Sequence, residues 1–165
     1  MRLGRILRHV LTPPWSARRR FPEELLTRIE EEIAASERQH SGELRFVVES
    51  ALDLLSLARG VSPRSHALEV FAELGVWDTE HNNGVLILVC LADHDVEIVA
   101  DRGIAARVEA AEWEAVCREM EAHYRGGRFA EGSIAGIRGA GALLARHFPT
   151  RGRGPNELSD RPLLG

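Results

Sequence analysis

The spacing of apolar positions divides the chain into helical and strand-like stretches. Residues 2–11, RLGRILRHVL, put Leu3, Ile6, Leu7, Val10 and Leu11 at helical intervals, with Arg2, Arg5, Arg8 and His9 mainly on the other side. A short amphipathic helix is therefore predicted, ending at Thr12-Pro13-Pro14. Pro22 suits a first helical position, and Glu23 and Glu24 favour the positive end of the dipole. Leu25, Leu26, Ile29 and Ile33 form the apolar stripe of that helix, which Ser41-Gly42 ends near Gln39 or His40. Residues 44–49, LRFVVE, are predicted to be a strand. Ser62-Pro63 caps and opens the next helix, with Ala67, Leu68, Phe71 and Leu74 on its buried side and Gly75 at its end.

Residues 85–91 are almost continuously apolar, as in a central strand covered on both faces. Residues 96–100 form the next strand. Strand, helix, strand implies a right-handed parallel crossover, whereas the short link Ala92-Asp93-His94-Asp95 permits only a hairpin. A long helix follows with Trp113, Val116, Cys117, Met120 and Tyr124 on one face, ending at Gly126-Gly127. The last helix runs from about Phe129 to His147, and its small residues Gly132, Ala135, Gly136, Gly139, Ala140 and Gly141 permit close packing. The expected fold class is α/β: a three-layer sandwich in which a small mixed sheet, with a parallel crossover and a β-hairpin, is flanked by about four helices. Residues 1–20 form a basic amphipathic N-terminal arm, residues 21–149 a single α/β domain, and residues 150–165 a disordered tail rich in Arg, Gly and Pro.

Composition narrows the function classes. A chain of 165 residues fits one domain with a proper core. The net charge of −4 gives no reason to expect nucleic-acid binding. All 21 basic residues are arginine, and residues 1–20 hold six of them and no acid, so the remaining residues carry a net −10. An arm of that kind can lie on an anionic membrane, or dock on its own domain. Cys90 and Cys117 read as buried free thiols, too few for a disulfide framework or a zinc site. No segment reaches the ~18 apolar residues of a membrane span. Arg and Gly interrupt the N-terminal apolar positions, so no cleaved signal peptide is expected and the chain is placed in the cytoplasm, peripheral to the inner membrane. No nucleophile elbow, phosphate loop, HExxH or EF-hand pattern occurs.

The order helix, strand, helix, strand, strand, helix, helix, centred on NNGVLILVCLADHDVEIVADRGI, resembles the TPM domain. The later segment YRGGRFAEGSIAGI is also similar to the stretch before that family's last helix, and the likeness covers roughly residues 43–148. The family includes thylakoid-lumen photosystem-repair proteins and an animal acetylcholine-receptor accessory protein, and many bacterial members are exported or membrane-linked. The resemblance implies a compact α/β sandwich. For some members it implies acid phosphatase activity or binding of calcium or another divalent cation. This chain departs from the family pattern at three motifs. Asn82 stands where the family has an acid before Asn-Gly. Ala92-Asp93-His94 replaces Asp-Asp-Arg, and Asp101-Arg102-Gly103-Ile104-Ala105 replaces Gly-x-Gly-Leu-Glu.

A hairpin brings residues before its first strand beside those after its second. Asp78, Glu80, His81, Asn82 and Asn83 are thus expected near Asp101, with Asp93, His94 and Asp95 at the opposite end of the sheet. The oxygen-rich set Asp78, Asn82, Asn83 and Asp101 is a candidate site for calcium or another divalent cation; the same residues also suit plain turn chemistry. Asp93, His94 and Asp95 are candidate acid–base residues, placed where open α/β sheets bind ligands, with Glu49 and Ser50 at the same end. The expected function is a TPM-like accessory domain that acts with a protein partner at a membrane and makes peripheral membrane contact through residues 1–20. The alternative is a metal-dependent acid phosphatase acting on phosphate esters.

Overall fold

The computed structural model describes residues 2–150, 152 and 154–165. Met1, Arg151 and Arg153, which fall within the expected arm and tail, lie outside the described residues. Among the described residues, twelve elements follow one another: α1 (Arg2–Leu11), α2 (Ser16–Arg20), α3 (Glu23–Glu37), β1 (Glu43–Glu49), α4 (Leu54–Arg59), α5 (Pro63–Glu73), β2 (Gly84–Cys90), β3 (Asp95–Ala100), α6 (Arg102–Ala105), α7 (Ala110–Arg125), α8 (Phe129–His147) and β4 (Leu163–Leu164). The sheet order is β3-β2-β1-β4. β1 and β2 pair parallel from Glu43↔Gly84 to Glu49↔Cys90, and β2 and β3 pair antiparallel from Val85↔Ala100 to Cys90↔Asp95. The crossover through α5 and the hairpin are thus both present.

Strand alternation sorts the core into two layers. Leu44, Phe46 and Val48 of β1, Val85, Ile87 and Val89 of β2, and Val96 and Ile98 of β3 face α3, α7 and α8. On the other face Val47, Leu86, Leu88 and Val99 meet Ala67 and Val70 of α5. Ile29, Ile33, Met120, Ile137 and Leu144 are wholly buried between the helices, each worth roughly 1.5–3 kcal/mol. The small residues of α8 do what their size suggests: a Cβ at Gly136 would lie 2.2 Å from the Met120 sulfur, so the side chain of α7 occupies that space.

Three expectations need correction. In α5 the buried face is Ala67 and Val70, while Leu68 is 49% exposed. Trp77, which follows a helix end and reads from the sequence as a core residue with its N–H satisfied, is 53% exposed, although its indole N–H does find the Ala72 carbonyl. The C-terminal segment was expected to be disordered but closes the sheet: β4 pairs parallel with β1 (Val47↔Leu163, Val48↔Leu164), Leu158 is buried, and Arg161 pairs with Glu23 and Glu30. Its Gly- and Pro-rich start hides this, because a two-residue strand with one buried leucine leaves no periodic signal.

Edge strand β3 is blunted by side chains. Its outward Val96 N–H bonds Glu121 of α7 at 3.3 Å, and its Ile98 carbonyl accepts from Arg64 of α5 at 2.5 Å. Two of the backbone groups that could template another strand are thereby occupied.

Candidate functional site

The two polar clusters lie at opposite ends of the sheet. At the carboxyl ends of β1 and β2, the four-residue loop 91–94 closes the hairpin, with His94 in the left-handed region at φ 56°. Asp93 turns inward. Arg5 of α1 grips its carboxylate through Nε at 2.9 Å and Nη2 at 2.7 Å, while Nη1 donates to the Val61 carbonyl at 2.6 Å. Arg8 adds a longer contact at 3.6 Å. His9, 3% exposed, places Nε2 3.0 Å from Asp93 Oδ1, and its Nδ1 accepts the Leu52 N–H at 3.0 Å. Because Nδ1 accepts, the ring proton is assigned to Nε2, facing the carboxylate. Burial by itself would raise the Asp93 carboxyl, but the bonds from Arg5 and His9 outweigh it and hold it below its ordinary range. Ser50 completes the seam: its hydroxyl donates to the Pro14 carbonyl at 2.8 Å and accepts the Ala17 N–H at 3.1 Å.

These contacts fix the orientation of α1. Arg5 and His9 point at the domain, and the apolar side points away from it. Leu3, Leu7, Val10 and Leu11 are 81%, 56%, 57% and 69% exposed. Trp15, and Leu54 and Leu55 of the neighbouring α4, are also exposed. Exposed Arg18, Arg19 and Arg20 follow directly in the chain.

The acid–base candidates are close in sequence but differ in state. Asp93 is engaged by Arg5 and His9, and His94 is exposed. Burial and the charges of Glu97, Glu121 and Asp93 push the Asp95 carboxyl up to about 6. Nearby, Glu49 bonds His66 Nε2 at 2.6 Å, a contact that raises the imidazole above its usual value. Among the described residues, His9, Cys90 and Asp93 are the one group of three or more His, Cys, Asp or Glu whose ligand atoms converge enough for a metal ion. The Arg5 guanidinium already neutralises that carboxylate, and burial pushes the Cys90 thiol up to about 12, so the group is poorly suited to a cation.

At the opposite end, Asn82-Asn83-Gly84 leads into β2. The Gly103 N–H bonds the Asn82 carbonyl at 3.1 Å and the Asp101 N–H bonds the Gly84 carbonyl at 2.8 Å, so this segment does adjoin Asp101. Asn82 takes the left-handed conformation, φ 50°. Gly84 is required by proximity, since a Cβ there would sit 2.0 Å from the Val76 carbonyl oxygen. Asp101 Oδ1 caps α6 at the Arg102 N–H, 2.7 Å away, and its Oδ2 is buried without a partner. Asn83 donates Nδ2 to the Ser41 carbonyl and leaves Oδ1 buried and unpaired. Asp78 and Asn82 are exposed. The candidate calcium set therefore supplies two buried free oxygens, against the ~6–8 that calcium takes. These residues do not fit a closed calcium cage.

Beside Asn83 opens a cleft of about 400 Å³ between the ends of α3 and α8 and the starts of β1 and β2. Glu37, His40, Glu43, Glu80, Arg107 and Glu157 line it. His40 is 2% exposed, and burial pushes its pKa down to about 4. Its Nε2 meets the Ser36 hydroxyl at 2.9 Å. Burial and the nearby Glu157 and Asp160 raise the Glu43 carboxyl, against the bonds it accepts from backbone N–H groups of Leu158 and Glu157. Sequence reasoning missed this cleft. The i,i+4 spacing of Ser36 and His40 before Gly42 was the available signal, but the carboxylates come from four separate segments.

A sequence model described as the TPM domain matches residues 20–143. The chain belongs to the TPM-domain family. This TPM domain is similar to the BA42 protein of the psychrophilic bacterium Bizionia argentinensis, known from an NMR structure. The two are 30% identical, with a TM-score of 0.72 over 86% of this chain and 93% of that one. It also shares its fold with the N-terminal domain of a P. gingivalis protein, at 20% identity and a TM-score of 0.60 over 76% of this chain and 77% of that one. No curated protein matches it. The matched region begins at residue 20, so α1 and most of α2 precede it. No helix among the described residues is long and apolar enough to cross a membrane.

Proposed function

We propose that this TPM domain is a non-catalytic accessory module that lies on an anionic membrane surface, on the cytoplasmic side, and there meets a membrane-linked protein partner. The observation carrying this reading is the orientation of α1. Arg5 and His9 tie the helix to Asp93, leaving Leu3, Leu7, Val10 and Leu11 as an outward apolar strip beside Trp15, Leu54 and Leu55. Interfacial helices bury such strips at the boundary between headgroups and acyl chains, with cationic residues meeting anionic lipid. Residues 1–20 supply six arginines and no acid, in a chain that is otherwise acidic. A juxtamembrane arginine is worth about 1 kcal/mol on such a surface, and salt screens it. Docking on the domain also helps a ten-residue helix that would be marginal alone.

The test is flotation of the full chain with phosphatidylglycerol-containing vesicles and with neutral vesicles. The wild type is expected to float with the anionic vesicles and to be released by salt. Leu7→Glu/Leu11→Glu, which changes only exposed positions, should lower binding about tenfold or more while the circular dichroism spectrum is kept, given a cost of over ~1.4 kcal/mol for inserting two charges. Equal recovery with neutral and anionic vesicles, or undiminished binding by the variant, would refute the proposal.

A further inference from the structure

We propose that the cleft between the ends of α3 and α8 binds a small organic cation carrying two or more amino groups, of the linear polyamine class. Four independent features favour a cation there. The carboxylates of Glu43, Glu80 and Glu157 line the cleft, and among the described residues none of them is in an ion pair. Glu43 is a carboxyl whose charge is disfavoured by burial and by Glu157, and an opposite charge placed beside it would favour its ionised form. Two long helices, α3 and α8, end at the cleft, aiming the negative ends of their dipoles at it. A side chain more than nine-tenths buried presents an unpaired acceptor on its wall, Asn83 Oδ1.

The amide orientation of Asn83 is fixed by its bond to the Ser41 carbonyl, so its free atom is an acceptor waiting for a donor. His40, with its pKa near 4, is neutral at physiological pH and adds no positive charge. Among the described residues, the arginine on the wall is Arg107, which is turned over the Phe148 ring, 5.2 Å from its centre.

The dispersal of these groups identifies the kind of cation. The carboxylates of this cleft do not converge on one point as metal ligands must, and the converging trio of the described residues lies at the other end of the sheet. Charges spread along a cleft of about 400 Å³ match a ligand whose own charges are spread and whose N–H groups can each find a separate acceptor.

Spermidine is the probe, titrated into the full chain at pH 8 and 150 mM salt by calorimetry and by backbone NMR. Saturable one-site binding is expected, with shifts concentrated at residues 37–43, 80–83 and 157. Putrescine should bind more weakly. Glu43→Gln/Glu157→Gln keeps the shape and the accepted N–H bonds of both side chains and should weaken spermidine binding at least tenfold. Shifts scattered over the acids of α7, or equal affinity in the double variant, would overturn the proposal. So would saturation of the same residues by manganese or calcium with no response to spermidine.

Discussion

Replacing Asp95 by Asn should stabilise this protein, and the gain should depend on pH in a way that exposes a second group. Burial and the charges of Glu97, Glu121 and Asp93 lift the Asp95 carboxyl from 3.8 to about 6. An acid whose folded pKa is raised binds its proton more tightly in the native state, so the native state loses stability as pH rises through the interval between the two values. Below about pH 4 the effect is nil, and above about pH 6 it is complete. The full shift corresponds to about 3 kcal/mol, which solvent screening at a partly exposed carboxyl reduces to about 1–2 kcal/mol. His40 acts in the opposite sense. Its pKa falls from 6.5 to about 4 by burial, so it withdraws stability as pH drops through that window. In the wild type the two slopes oppose each other between pH 4 and 6.5. Asp95→Asn removes one of them. Urea unfolding of both proteins at pH 4.5, 5.5, 6.5 and 8 should show the variant gaining about 1–2 kcal/mol at pH 8, progressively less toward pH 4.5, and a steeper loss of its own stability on acidification. A gain that is constant across the series, or a loss at pH 8, would refute the assignment of a raised carboxyl.

Two further outcomes follow from specific contacts. Gly84→Ala would place a Cβ 2.0 Å from the Val76 carbonyl oxygen, where only backbone can move aside; a loss of about 3 kcal/mol or more is expected in denaturant unfolding, and a change below 1 kcal/mol would contradict the close approach. Asp93→Asn strips Arg5 and His9 of their common anion and should cost about 2 kcal/mol. It should also abolish hydrogen-exchange protection in α1 while the amides of β2 stay protected, and a still-protected α1 would show that other contacts hold the helix.

What the sequence disclosed of the fold came from periods and punctuation. The continuous apolar run at residues 85–91 indicated a strand covered on both faces, and the seven residues of β2, Gly84–Cys90, are all buried. The short link to β3 forced a hairpin, and the segment entering β2 does adjoin Asp101, whose N–H bonds the Gly84 carbonyl. Ser62-Pro63 marked the start of α5, where the Ser62 side chain accepts the Ser65 N–H. The elements left unread, α2, α4, α6 and β4, are five, six, four and two residues long. Elements that short carry less than two helical turns or one strand alternation, and tertiary contacts decide them. The partners that matter at the two ends of the sheet are likewise long-range: Arg5 and Asp93 are 88 residues apart, and Glu43 and Leu158 are 115 apart. No spacing rule reaches that far.

Helix α1 shows a subtler gap between pattern and structure. Periodicity establishes that a helix has two faces, but which one is buried depends on what the domain offers. For most helices the core offers hydrocarbon and the apolar face turns in, as in α3 and α7. Here the docking surface offers Asp93, the Val61 carbonyl and the Leu52 N–H, three polar groups at the carboxyl ends of the parallel strands. Leaving Asp93 buried and unpaired would cost several kcal/mol, more than the burial of any one leucine on the other side would return. The polar face therefore wins the interior, and the apolar strip is left at the surface as a consequence of how Asp93 is satisfied. On this argument the anion that holds the helix and the surface that would meet a membrane are two sides of one arrangement. Asp93→Asn should then weaken vesicle binding by disordering α1, even though residue 93 itself never faces the lipid.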